Sequence, residues 1–163
     1  MEKILRAGSD YMNPRKIQTR QEDKSAASDY FKKAQDNFEA MLLALKNKNY
    51  NAVGTLAIQC VISSADAICV YEKGLVSISE DHGDLCDLVK STLLPEAKEK
   101  SNTLKRIIAK KNLIQYERRN MFQSEAHEIT KSATRFYQWV DSSLRLIVGL
   151  NNARNFQRWN ILF

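Results

Sequence analysis

YNAVGTLAIQCVISSADAICVYE, residues 50–72, decides the fold. The stretch would make about six helical turns, and it is apolar almost all the way round. Its one polar wedge is Thr55, Gln59, Ser63 and Asp66, spaced by four, four and three. A helix with so little polar surface has to be covered by other helices, so it reads as the central helix of a bundle. The run Ala52 to Tyr71 is about long enough to span a bilayer. Gln59, Ser63, Ser64 and Asp66 interrupt it, and the expectation is a core helix with no membrane partner. Gly74 is the expected C-cap region.

Helical periodicity continues on both sides of this segment. Upstream, Ala27, Phe31, Ala34, Phe38, Met41 and Leu45 step by four and three, a seam for helix packing. This predicts a helix from about Ser25 or Ser28 to Lys46, with the serines as N-caps. Asn47 to Asn49 form a short break. Downstream, Ser77 to Glu80 read as a loop and Asp81 as an N-cap, with Asp84 three residues on. A short helix follows, about His82 to Leu93, with Leu85, Leu88, Val89 and Leu93 inward. Pro95 opens a fourth helix. Gln123 or Ser124 opens a fifth, whose seam is Ala126, Ile129, Ala133, Phe136, Val140 and Leu144 and which reaches about Leu150. No segment has a strand pattern. The predicted fold is an all-α, up-and-down bundle of four to five helices over residues 25–150. Residues 1–24 read as a loosely ordered arm. Residues 151–163 form a basic and aromatic tail with Arg154, Phe156, Arg158, Trp159 and Phe163.

The 163 residues suffice for one domain with a real core, and Gly (5) and Pro (2) are scarce. The formal net charge is +6, and its placement is uneven. Residues 98–119 carry eight Lys/Arg against two Asp/Glu, a surplus equal to that of the whole chain. Such a segment is either a solvated helix face or an attractor for phosphate or an acidic partner. Cys60, Cys69 and Cys86 form no CxxC pair and read as small buried hydrophobes in a reducing compartment. Neither a metal nor a cofactor is expected. Residues 1–24 mix charges and lack a signal-peptide profile, so the expected location is cytoplasmic. The chain lacks a P-loop, GxGxxG, HExxH and GxSxG, which argues against the nucleotide-cradling, zincin and hydrolase chemistries those motifs carry.

One charge in the basic segment points the wrong way. Take Pro95 to Gln115 as one helix, with Leu104 as the angular origin. Ile108 then falls at about +40°, Ile107 at about −60° and Ile114 at about −80°. Lys111 falls at about −20°, inside the apolar stripe. Either the helix ends before it or this lysine lines a polar site. Around it, Lys111, Asn112, Tyr116, Arg118 and Arg119 gather cations, an amide and a phenol. They either complement a helix dipole or face phosphate oxygens, with Tyr116 able to stack on a base. Asp66 needs a partner if it is buried; the candidates are Lys111, Tyr116, His82 and the arginine pair. The wedge with Gln59 and Asp66 either faces solvent or forms one polar groove with the end of the fourth helix. His82 is either a capping-region residue or part of that groove. His127 reads as a surface residue.

At these residues the chain resembles the HEPN superfamily, the helical domains named for higher eukaryote and prokaryote nucleotide-binding proteins. The similarity runs from about Ser28 to Leu146. It rests on Tyr50-Asn51-Ala52-Val53, Ala65-Asp66-Ala67-Ile68, Gly74, Asp81-His82, Lys111-Asn112, Tyr116, Ser124-Glu125-Ala126, Ala133-Thr134-Arg135-Phe136 and Trp139-Val140, in that order. The resemblance implies a homodimer in many members. It also implies one of two roles: metal-independent endoribonuclease, often in toxin-antitoxin or defence systems, or non-catalytic partner of a nucleotidyltransferase-like protein. The ribonucleases carry an Arg followed four to six residues later by a His. Here Lys111, Asn112 and Tyr116 take those positions, and Arg119 to His127 leaves seven residues between them. Lysine lacks the guanidinium fork and tyrosine is a poor base near neutral pH. The expectation is therefore a non-catalytic module that binds a nucleotide, an RNA or a protein partner. A degenerate ribonuclease and a purely structural assembly bundle are the alternatives, and no residue is assigned a catalytic role.

Overall fold

A computed structural model of the chain describes residues 16–80 and 82–148. Asp81, the arm up to residue 15 and the tail from residue 149 lie outside the described residues, and so do the expectations made for them. Among the described residues there are five helices of eight residues or more: α1 (Ala27–Lys46), α2 (Tyr50–Lys73), α3 (Gly83–Lys90), α4 (Ala97–Ile108) and α6 (Gln123–Val148). A six-residue helix, α5 (Lys111–Tyr116), follows α4. This is the all-α bundle that the apolar periodicities predict.

The three-residue link between α1 and α2 makes them antiparallel neighbours. Its geometry is a Schellman turn: Asn49 N–H donates to Ala44 O at 2.9 Å and Lys48 N–H to Leu45 O at 3.0 Å. Lys48 holds φ +60°, the left-handed region. Gly74 ends α2 at φ +63°, and its N–H donates to Val70 O at 2.8 Å. A side chain there would be strained and would meet Glu22 O at 3.3 Å.

Two expectations are corrected near these ends. The serines do not cap α1. A 3-10 turn (Lys24–Ala26) precedes it, capped by Asp23, whose carboxylate accepts from Ser25 N–H at 2.8 Å. Two strands also exist: β1 (Thr19–Gln21) pairs antiparallel with β2 (Leu75–Ser77), Arg20 opposite Val76. Three residues each are too few for alternation to register in sequence. Val76 alone in the ribbon is buried, packing with Ala27 and Val70.

α2 is long and apolar enough to cross a membrane by length and composition, but most of it is buried within the bundle. Val53, Ala57, Ile58, Val61, Ala65 and Ile68 lie at 0% exposure. α1 covers them with Phe38 and Met41, and α6 with Ile129, Ala133, Phe136 and Val140. Tyr137 stacks between Phe31 and Phe38, with centroids 5.4 and 4.4 Å away. α3 and α4 close the remaining side. Ser101 Oγ donates to Cys86 O at 2.7 Å, and Trp139 Nε1 donates to Pro95 O at 3.1 Å. Leu93, expected inward, lies beyond the end of α3 and is 97% exposed. Cys60, Cys69 and Cys86 are buried free thiols. Burial pushes Cys60 up to about 12 and raises Cys69 as well, so neither forms thiolate at neutral pH.

Candidate functional site

α4 does not continue to Lys111. It ends at Ile108, and a turn at Ala109–Lys110 redirects the chain. Lys110 N–H donates to Ile107 O at 3.1 Å, one residue tighter than the α spacing, and α5 then starts afresh. α5 seats itself on the first turns of α2. Gly54 makes the approach possible: a Cβ there would lie 2.9 Å from Met121 Cε and 3.0 Å from Ile114 Cδ1. Lys111 is thereby turned toward the start of α3 rather than into the core.

The result is an open cleft of about 420 Å³ between α3, the end of α4 and α5. Lys111 Nζ lies 3.4 Å from His82 Nε2, across 29 residues of chain. An ammonium only donates, so this contact is a hydrogen bond in the tautomer with the proton on Nδ1. Asn112 and Tyr116 line the same cleft, as do Lys105 and Glu80, with Cys86 and Ile108 beneath. Tyr116 is 75% exposed, a ring accessible for stacking. Lys105 and Lys111 outnumber Glu80, so the cleft favours anions.

The other predicted residues lie elsewhere. Arg118 is exposed beyond α5. Arg119 is engaged: its two Nη atoms reach Glu125 at 3.0 and 2.8 Å, and its guanidinium lies 5.0 Å from the Phe122 ring centroid. Glu125 also accepts from Phe122 N–H at 2.8 Å, half of a capping box at the start of α6. The Arg119 hydrogen bond, and then the Phe122 N–H, hold the Glu125 carboxyl down at about 2. The same pairing raises the guanidinium. Arg119 thus fastens α6.

Asp66 and Gln59 do not join the cleft, which corrects the expectation of one continuous groove. Asp66 lies 12 residues along α2 from Gly54, about 18 Å of axis and about 120° of rotation. Its carboxyl is pushed up to about 7 by burial, with Lys33 of α1 acting in the opposite direction. Gln59 is exposed on α2. Lys105, Glu80 and Cys86 are cleft residues that sequence reasoning missed. Their convergence depends on the α4–α5 break, which no Gly or Pro marks. Among the described residues, no group of three or more His, Cys, Asp or Glu is placed to hold a metal ion.

Comparison with known families returns one finding. The model described as HEPN domain matches residues 27–143, 117 of the 163 residues and therefore α1 through most of α6. No curated protein matches the chain.

Proposed function

The chain belongs to the HEPN domain family, and from that premise we propose that it is a non-catalytic module binding a nucleotide or an RNA in the cleft beside α5. One observation carries this reading: Lys111 and His82 meet at 3.4 Å in an open, cation-rich cleft. Lys111 supplies a point charge for phosphate, Asn112 an amide for a base or sugar edge, and Tyr116 a stacking face. Arg118, exposed just beyond α5, is available to extend the positive wall. The proposed module works as a homodimer, as the family resemblance implies, and Tyr116 and Phe122 are exposed rings available to a partner. The family resemblance suggests a toxin-antitoxin or defence system as its setting, and a nucleotidyltransferase-like protein as the alternative to a nucleotide or RNA.

The test is fluorescence anisotropy with labelled single-stranded RNA at low salt, with nucleotides as competitors. Lys111→Ala/Tyr116→Ala should weaken binding at least tenfold. A parent protein with no affinity for RNA or nucleotide at low salt would sink this reading and favour an assembly bundle.

A second reading has its own observation. An imidazole is suited to proton transfer near neutral pH, and His82 supplies one beside Lys111 from the residue just before α3. This restores in space the cation and histidine that the chain lacks in sequence. It supports a degenerate, metal-independent endoribonuclease. Cleavage of RNA by the parent, lost in His82→Ala while binding persists, would overturn the binding-only reading.

A further inference from the structure

A second groove lies between α4 and α6, on the opposite flank of α4 from the cleft. Thr103 and Arg106 of α4 and Lys110 of the turn that follows it are spaced by three and four and line one side. Lys105, one residue before Arg106, points about 100° away, into the cleft. On α6, Glu128, Ser132 and Arg135 are spaced by four and three and also share a face. These faces enclose a cavity of about 210 Å³. Ile107 and Ile129, 2% and 1% exposed, lie beneath it, a dry base against which charge interactions strengthen.

The charges do not balance. Three cations, Arg106, Lys110 and Arg135, share the groove with one carboxylate, Glu128, a surplus of two. Arg106 Nη2 donates to Thr103 Oγ1 at 3.2 Å, which orients the guanidinium without neutralising it. Lys110 Nζ lies 3.7 Å from Glu128, which is itself 71% exposed. Among the described residues Arg135 has no ion pair.

We propose that this groove binds the dianionic phosphate of a phosphomonoester. A phosphomonoester carries roughly −1.5 to −2 at neutral pH, which matches the surplus. Two guanidinium forks on facing helices suit its tetrahedral oxygens, and the Ser132 hydroxyl supplies a further donor. The site uses neither Lys111 nor Tyr116, so it stands independently of the cleft reading. The phosphate has two sources, the 5′ end of a strand or a free nucleoside monophosphate.

The experiment is NMR titration of the full chain with inorganic phosphate at low ionic strength, following the amides of residues 103–110 and 128–135. Saturable shifts are expected there. Arg106→Ala/Arg135→Ala should weaken them at least tenfold, and Lys111→Ala should leave them in place. Glu128→Gln, which removes the one competing carboxylate, should tighten binding severalfold. Absent shifts, shifts confined to Lys111 and its neighbours, or shifts that persist in the double arginine variant would overturn the proposal. Tighter binding of a 5′-phosphorylated oligonucleotide than of its 5′-hydroxyl twin would support the site and identify a strand end as the source. Equal oligonucleotide affinities with saturable binding of nucleoside monophosphate would support it with a free nucleotide as the source.

Discussion

Asp66 carries a carboxyl that burial pushes up to about 7, although Lys33 draws it down. In the unfolded chain the same group ionises near about 3.9. Between those values the folded protein holds a proton that the unfolded chain has released. Stability therefore falls as pH rises from about 4 to about 7 and is level above that, by an amount on the order of 2–4 kcal/mol. Asp66→Asn removes the titration. Urea unfolding at pH 5 and pH 8 should show the variant more stable than the parent at pH 8, by on the order of 1–2 kcal/mol, with the gap closing at pH 5. A gap that stays constant with pH would show that Asp66 does not titrate in this window. The burial of this residue is legible in Ala65-Asp66-Ala67, a carboxylate between alanines on the most apolar helix. Its partner is not, because α1 enters only through packing. Lys111 shows the same division. Its position in an apolar stripe marks it as unusual, while His82, its neighbour in space, is 29 residues away and invisible to any spacing rule.

Helices with long apolar seams were readable because burial repeats every three to four residues. α1, α2 and α6 are 20, 24 and 26 residues long, and each runs close to its predicted bounds. The break between α4 and α5 was not readable. Ala109 and Lys110 both favour helix, and the chain turns there because α5 has to dock on Gly54. The end of α1 is a further case in which tertiary demand overrides local preference. Lys48 occupies the left-handed position that glycine prefers, at φ +60°. Its side chain is exposed. Lys48→Gly should relieve that strain, offset in part by the greater freedom glycine gives the unfolded chain. The net expectation is a gain of about 0.5–1 kcal/mol. It is read as a higher urea midpoint with an unchanged slope. A lower midpoint would mean that the Lys48 side chain holds the α1–α2 turn in a way its exposure does not reveal.

Across the whole molecule, charge is segregated by element. Residues 98–119, with their surplus of six cations, form α4, α5 and the turns around them, while the residues before them, nearly balanced in charge, include α1 to α3. The fold thus displays one basic edge, with Lys105 of α4 and Lys111 of α5 on the cleft side and Arg106 of α4 and Lys110 of the turn after it on the other. A strand lying in the cleft and running on past α5 would meet Lys105, Lys111 and Arg118, about three phosphate neutralisations. For single strands that gives a slope of log affinity against log salt near about −2. Lys111→Ala should lower its magnitude by about 0.7, and Arg119→Ala should hardly change it, because Glu125 already neutralises that guanidinium at 2.8 Å. Anisotropy titrations of single-stranded RNA between low and moderate salt measure both slopes. Loss of slope in Arg119→Ala but not in Lys111→Ala would move the strand off the cleft to the start of α6. A slope near zero in the parent would mean that whatever docks on this edge does so through the exposed Tyr116 and Phe122 rather than through charge.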